Sequence, residues 1–127
     1  MKILIDAMGG DNAPKAPVLG AIQAAKDLDV QITLVGQGEQ ILKVLKENGY
    51  NDLPENISVA NADEVVDMHD DPAEVIRKKK NSSMVIGLKM LSEGQGDAFV
   101  SAGSTGALLT GATLIVKRVK GVRRAAM

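Results

Sequence analysis

Short apolar runs alternate with amphipathic stretches along this chain, and the alternation predicts a fold of strands and helices. The first run, Lys2–Ile5, shows no alternation of apolar and polar residues, as expected for a strand that is covered on both faces. Further strands are predicted at Gln31–Val35, Ile57–Ala60 and Ala98–Val100.

Five helices are predicted between and after these strands, from apolar residues at helical spacing and from residues that start or stop a helix. The residues predicted on their buried faces are Val18, Ile22 and Ala25 in the first helix, Ile41, Leu42 and Leu45 in the second, Val75 and Ile76 in the third, Met84, Leu88 and Leu91 in the fourth, and Leu108, Ala112 and Ile115 in the fifth.

The ends of several helices can also be predicted. Asp71-Pro72-Ala73-Glu74 has the spacing of a capping box, with proline at the first helical position. Asn81-Ser82-Ser83 supplies cap residues for the fourth helix, and the fifth is predicted over Thr105–Lys117. The first helix follows Pro14 and runs to about Asp27.

Strands that alternate with helices indicate βαβ units, in which parallel strands form a sheet with helices on both faces. We therefore predict one α/β domain over residues 1–127, with three layers in the order αβα. In open parallel sheets, ligands bind beyond the carboxyl ends of the strands, near a change in strand order.

Two glycine-containing loops follow the carboxyl ends of predicted strands. Asp6–Asp11 contains Gly9-Gly10, and Ser101–Ala107 contains Gly103 and Gly106. Glycine lets a backbone approach a ligand closely, and amides at such a turn or at a helix start can hold a phosphate. The alternative is purely structural: the glycines shape turns and a hydroxyl of the second loop caps the helix that follows. Since both loops leave the same end of a parallel sheet, we favour one anion-binding cleft between them.

The composition excludes several classes of function. With a formal charge of −1 and 2% aromatic residues, the chain has neither a general basic field nor a stacking platform for nucleic acid. The absence of cysteine excludes disulfides, thiolate metal sites and a cysteine nucleophile. No apolar stretch approaches the length of a membrane span, and we expect a cytoplasmic protein.

Other motifs have competing interpretations. The cations Arg77–Lys80 either form a solvated helix end or point in part into the cleft or towards an acidic partner. The basic end, Lys117–Arg124, either meets an acidic protein or anionic lipid or is solvated. His69 lies among acids, which we interpret as a solvated loop with a helix cap and not as a metal site. Gly36-Gln37-Gly38 only begins like a dinucleotide fingerprint and is interpreted as a strand-to-helix turn.

Three stretches together resemble the bacterial phosphate acyltransferases of the PlsX family. The likeness extends from Met1 to about Arg124 and includes Ala62–Val65. The stretches that carry it are Asp6–Asp11 with Ala13-Pro14, Arg77–Met84 and Ser101–Ala107.

This resemblance implies an enzyme that makes acyl-phosphate from fatty acyl-acyl carrier protein and inorganic phosphate in phospholipid synthesis. It implies a fold similar to that of isocitrate and isopropylmalate dehydrogenases and phosphate acetyltransferases. It also implies no metal or nucleotide cofactor, a homodimer, and peripheral association with the membrane. Because members of the family are much longer, we expect this chain to be an amino-terminal portion. Ser104 departs from the family in standing where asparagine is expected at least as often.

Phosphate is itself a nucleophile, so its attack on a thioester requires positioning and oxyanion stabilisation and no serine or cysteine triad. Motif position and residue chemistry together nominate Asp6 and Lys79 as catalytic residues. The alternatives that remain are a non-catalytic nucleotide- or phosphate-binding module and a related phosphate acetyltransferase or dehydrogenase-like enzyme. The residues nominated for binding phosphate or substrate are Gly9, Gly10, Asp11, Lys15, Asn81, Ser82, Ser101, Gly103, Ser104, Thr105 and Gly106.

Overall fold

Four parallel strands form one sheet in the computed structural model, which describes residues 1–124. The order across the sheet is β3-β2-β1-β4. All four predicted strands are confirmed, and the first three extend one residue beyond their predicted carboxyl ends. The strands are β1 (Lys2–Asp6), β2 (Gln31–Gly36), β3 (Ile57–Asn61) and β4 (Ala98–Val100).

Strand β1 lies inside the sheet, between β2 and β4. Leu4 pairs in register with Thr33 of β2 on one side and with Phe99 of β4 on the other. The chain adds β2 and then β3 on one side of β1 and returns to the other side for β4. The strand order therefore changes direction between β1 and β4, and this is where the rule for parallel sheets places a ligand.

The predicted starts of α3 and α4 are confirmed. Asp71 caps α3 by accepting a hydrogen bond from the Ala73 amide at 2.9 Å, and Ser82 caps α4 by accepting one from the Val85 amide at 3.2 Å. The elements are α1 (Lys15–Asp27), α2 (Gly38–Glu47), α3 (Pro72–Lys78), α4 (Ser83–Ser92), α5 (Thr105–Gly111) and a π-helical segment, Ala112–Val116, that directly continues α5.

Helices cover both faces of the sheet. Ile32 and Leu34 of β2 are buried on the side of α1 and α2, where they meet Ile41 and other residues of those helices. Leu4 and Val35 are buried on the opposite side, where half-buried side chains of α4 pack against them. Neighbouring positions of one strand thus enter different cores, which confirms the three-layer α/β architecture.

A third core joins α3, α4 and α5 beside the sheet. Val75, Met84 and Ala107 are buried in it. The helices approach closely at Gly111, where an added Cβ would lie 2.6 Å from Cδ1 of Leu88. This packing fixes α5, and with it the loop that precedes α5, against α4.

The fifth helix differs from its prediction as a single α-helix to Lys117. The amide of Lys117 donates to the Ala112 carbonyl at 2.8 Å, five residues back, which is the π-helical spacing. The Thr113 hydroxyl donates to the Leu109 carbonyl at 2.8 Å and so competes for a backbone acceptor. The widened segment leaves Ile115 only half-buried, like Leu108 and Ala112.

Leu42 is not on the buried face of α2 that the sequence pattern assigned to it. Its exposed fraction is 49%, whereas Ile41, Val44 and Leu45 are buried. Three residues at i, i+3 and i+4 already form the stripe that faces the sheet, and Leu42 lies beside that stripe.

No helix within residues 1–124 combines the length and apolar character needed to cross a bilayer.

The two leucines of α2 provide a matched test of this packing. Leu45→Ala empties a site that is 2% exposed and is expected to lower the free energy of unfolding by about 2–5 kcal/mol. Leu42→Ala is expected to change it by no more than about 0.5 kcal/mol, as is usual for a surface substitution. Urea unfolding followed by circular dichroism measures both, and equal losses would contradict the assigned helix face.

Candidate functional site

A buried carboxylate lies where β1 ends. This carboxylate is the side chain of Asp6, a residue that is only 4% exposed. Its Oδ1 accepts hydrogen bonds from the Ser83 hydroxyl at 2.6 Å and the Met8 amide at 3.0 Å, and its Oδ2 accepts one from the Ser101 hydroxyl at 2.8 Å. Three segments of the chain, up to 95 residues apart, therefore meet at one side chain.

The two glycine loops touch each other at this point, as the parallel topology predicts. A Cβ on Gly9 would lie 2.8 Å from both Oδ2 of Asp6 and the amide nitrogen of Gly103. It would also lie 2.9 Å from Oγ of Ser101. Real side chains do not tolerate such distances, so the approach of the loops requires glycine at position 9. Gly10 adds a φ of +102°, a conformation that other residues rarely adopt.

A cleft of about 340 Å³ opens between the first glycine loop, the start of α1 and the end of β4. Within the described residues, the amides of Gly10 and Asp11 donate to no protein acceptor, which leaves them available to a ligand. The residues that line the cleft are Ile5, Asp6, Gly9, Gly10, Asp11, Asn12, Ala13, Ala16, Pro17, Val100 and Ala102.

The second glycine loop is partly bonded within itself. The Gly103 amide donates to Oγ of Ser101 at 3.1 Å. Ser104 is the N-cap of α5 and accepts from the Ala107 amide at 3.2 Å, so the capping interpretation holds for this serine. Gly106 lies against α3, since a Cβ there would be 2.8 Å from Cγ of Pro72. Thr105 is exposed in the first turn of α5.

The other nominated binding residues lie outside this contact. Lys15 is exposed at the first position of α1, next to the first glycine loop. The Asn81 amide donates to Oε1 of Glu64 at 3.1 Å, and Ser82 is fully buried as the cap of α4. Their proposed contact with substrate stays a prediction.

Lys79 is held by the acidic segment that precedes α3. Its Nζ donates to Oδ2 of Asp70 at 2.7 Å and to the Val65 carbonyl at 2.8 Å. The hydrogen bond from Lys79, followed by that from the Asp67 amide, lowers the pKa of Asp70 from its ordinary value of 3.8. The structure thus places the ammonium on this segment and not on the Asp6 cluster. Its assignment as a catalytic residue stays a prediction.

The other cations near the end of α3 and the acids around His69 make contacts with near neighbours in sequence or are exposed. Lys78 pairs with Glu74 one helical turn away at 2.6 Å, and Arg77 and Lys80 are exposed. The backbone amide of His69 donates to the Asp67 carboxylate at 2.9 Å in a tight turn, as expected for a solvated loop before a helix cap.

The dinucleotide-like stretch is the predicted strand-to-helix turn. β2 ends at Gly36 and α2 begins at Gly38, whose amide donates to Oδ1 of Asn61 at 3.0 Å.

Ser83 is the site residue that the sequence pattern did not identify. It is 2% exposed, and its hydroxyl contacts a carboxylate 77 residues away in the chain. The only signal in the sequence is that Ser82 and Ser83 are two adjacent serines where one suffices to cap α4. Nothing in the sequence connects the second serine with Asp6.

Comparison with known proteins identifies relatives over the whole chain. A family model described as fatty acid synthesis protein matches residues 1–127. The chain is 47% identical over 128 residues to a phosphate acyltransferase from Bacillus licheniformis and 43% identical over 127 residues to one from Dictyoglomus thermophilum. Each match covers 100% of this chain and 37% of the relative, so the chain spans little more than a third of their length.

The fold also has a counterpart of known structure. A phosphotransacetylase from Streptococcus pyogenes is similar with a TM-score of 0.68 over 98% of this chain and 40% of that chain. At 22% identity this likeness concerns the fold alone.

The glycine contact predicts a penalty for even one methyl group. Gly9→Ala is expected to lower the free energy of unfolding by about 1–3 kcal/mol, because the carboxylate and the opposite backbone must move apart. Gly20→Ala, on a helix position with nothing within 4 Å, is the control and is expected to be neutral or stabilising by up to about 1 kcal/mol. Denaturant unfolding checks both, and a neutral Gly9→Ala would contradict the close approach.

The Lys79–Asp70 pair predicts a change in titration. Lys79→Gln is expected to raise the pKa of Asp70 towards 3.8, because the ammonium that favours the ionised form is gone. A lowered pKa adds stability above 3.8 that is lost as the pH falls through the folded value, and the variant is expected to lose the part of this acid-side dependence that Lys79 causes. Carboxyl NMR titration measures the pKa. Lys80→Gln, at an exposed neighbour, is the control that leaves it unchanged.

Proposed function

Because this chain belongs to the fatty acid synthesis protein family, we propose that it is the amino-terminal part of a phosphate acyltransferase. The proposed reaction transfers the acyl group of a fatty acyl-acyl carrier protein to inorganic phosphate and yields acyl-phosphate for phospholipid synthesis. The names of relatives 42–47% identical over the whole chain support the reaction class. The further resemblance of the complete fold to isocitrate and isopropylmalate dehydrogenases is part of the same proposal.

The chemistry that this reaction requires is limited. A phosphate oxygen attacks the thioester carbonyl carbon and forms a C–O bond, and the carbonyl oxygen takes up negative charge. The C–S bond then breaks, and the carrier leaves as a thiolate that is protonated to the thiol. The protein must therefore hold phosphate in line with the carbonyl and stabilise the oxyanion, and no side chain has to form a covalent bond.

The observation that carries the proposal is the contact of the two glycine loops beside a cleft at the change of strand order. The unpaired amides of Gly10 and Asp11 supply hydrogen-bond donors for an anion. Asp11 lines the same cleft and is suited to accept a hydrogen bond from a protonated phosphate oxygen. Lys15, at the adjacent helix start, supplies positive charge.

Partners of the complete protein are proposed from the same family. The acyl carrier protein is typically acidic, and the exposed Arg77 and Lys80 offer it a docking contact. The homodimer and the peripheral membrane association implied by the resemblance are proposed for the longer protein, through parts outside this chain.

The second glycine loop gives the most direct test in the full-length enzyme. Gly103→Val places a Cβ 3.3 Å from Cα of Gly9 and adds two methyl groups to it, and it is expected to reduce acyl-phosphate formation at least about 100-fold while the fold is retained. Incorporation of labelled phosphate into acyl-phosphate measures the rate, and circular dichroism checks folding. Gly20→Val on open helix surface is the control. Unchanged turnover of Gly103→Val would rule out a role of this contact in the reaction.

Ligand titration distinguishes the enzyme from a non-catalytic module. We expect inorganic phosphate and acyl-phosphate to bind the full-length protein and to compete with each other for the same cleft. Calorimetry with phosphate, acyl-phosphate, NAD and ATP makes the comparison. Binding of NAD or ATP alone would support the nucleotide-binding module instead.

A further inference from the structure

We propose that Asp6, Ser83 and Ser101 form a positioning network that holds the two glycine loops at the spacing needed for phosphate. The inference rests on the proposed acyl transfer and assigns Asp6 a role through the loops and not as a proton acceptor. It also gives Ser83 a part in the site, because this residue is the link between the carboxylate and α4.

The direction of each hydrogen bond is determined by the chemistry of the groups. A serine hydroxyl has one hydrogen, and both Ser83 and Ser101 direct theirs to Asp6. The oxygen of Ser101 is therefore left as an acceptor, and it takes the Gly103 amide at 3.1 Å. A continuous series of bonds runs from the Gly103 amide through Ser101 to Asp6, and a second runs from Asp6 to the start of α4.

Burial makes this network costly to disturb. Asp6 and Ser83 are 4% and 2% exposed, and a buried carboxylate must have its acceptor positions filled. Within residues 1–124 the ion pairs are Lys78–Glu74 and Lys79–Asp70, so Asp6 relies on neutral donors. It lies at the amino-terminal end of the ten-residue α4, whose dipole favours a negative charge there.

The same bonds make Asp6 a poor proton acceptor. Three donors already occupy the two oxygens and leave only about one of their four acceptor positions for a proton from phosphate. The proposed reaction does not require that step, since phosphate already carries nucleophilic oxygens. What the reaction does require is accurate placement, and a displacement of about 1 Å in a reacting group can cost about 100-fold in rate.

The two glycine loops are packed so closely that they cannot accommodate such a displacement. The space beside Gly9 is bounded by Asp6, Ser101 and the Gly103 amide, all within 2.9 Å of where a Cβ would lie. A shift of the Asp6 carboxylate is therefore transmitted to Gly9 directly and to Gly103 through Ser101. The free amides of the first loop move with it, and the phosphate position changes.

The experiment compares Asp6→Asn, Ser83→Ala and Ser101→Ala in the full-length enzyme. Each is expected to raise the dissociation constant and the KM for inorganic phosphate at least about 10-fold at a temperature where the variant is folded. The Ser83 and Ser101 changes are expected to be non-additive, because both act on one carboxylate. Ser101→Thr retains the hydroxyl and is expected to restore most of the affinity for phosphate.

Two controls match the chemistry of these changes elsewhere in the fold. Asp97→Asn alters a carboxylate that accepts the Lys2 amide at 2.8 Å at the opposite end of the sheet. Ser92→Ala alters an exposed serine at the last position of α4. Both are expected to leave phosphate binding unchanged.

Three results would overturn the inference. Loss of kcat in Asp6→Asn with unchanged phosphate affinity, together with loss of the acid limb of the pH–rate profile, would identify Asp6 as a general base. A lowered melting temperature with unchanged KM and affinity would identify a structural role only. Unchanged affinity in both serine variants would show that the hydroxyls do not position the loops.

The positioning network and the proposed acyl transfer can be tested independently of each other. If the wild-type protein binds phosphate but forms no acyl-phosphate, the function is wrong, and the phosphate affinities of the variants still decide on the network. If it binds no phosphate, the ¹⁵N–¹H resonances of Gly9 and Gly103 report the loop geometry directly. Their positions are expected to shift in Asp6→Asn and to stay unchanged in Asp97→Asn, and unshifted resonances in Asp6→Asn would overturn the network.

Discussion

The hydrogen bonding of one buried carboxylate determines how the candidate site is assembled. Asp6 is removed from water and has no ion-pair partner within residues 1–124, and this is tolerated because two hydroxyls and one amide donate to it. The two hydroxyls come from parts of the chain that are 77 and 95 residues away from Asp6. The energetic requirement to satisfy one side chain therefore brings β1, β4 and α4 together at one edge of the sheet, which is also where the cleft opens.

Parallel topology explains why glycine is needed at this edge. Strands β1 and β4 are neighbours with the same direction, so the loops that follow them must leave the sheet side by side. Two loops with side chains would be forced apart, whereas Gly9 and Gly103 let the backbones meet. Their approach leaves amides of the first loop without protein acceptors, and an anion can satisfy them. The two loops are about ninety residues apart in sequence, but the distance between them in space is set by the register of the sheet.

Much of this arrangement could be predicted from the sequence, and the parts that could not have a common physical cause. The strands and the convergence of the glycine loops follow from local apolar patterns and from the direction of parallel strands. The bond from Ser83 to Asp6, the pairing of Lys79 with Asp70, and the exposure of Leu42 depend on how elements pack, which no local pattern records. The π-helical end of α5 likewise depends on a hydroxyl that competes for a backbone carbonyl.

The placement of charge determines how such a site would bind phosphate. Asp6 and Asp11 are among the residues that line the cleft, while Lys79 is bonded to Asp70 on another segment. This part of the chain therefore does not bind an anion through an array of cations. It offers backbone amides held in position, with Lys15 as the adjacent positive charge. Amide dipoles that are already fixed need no reorganisation as charge develops on a reacting oxygen, so a site built this way depends more on the accuracy of its loops than on its net charge.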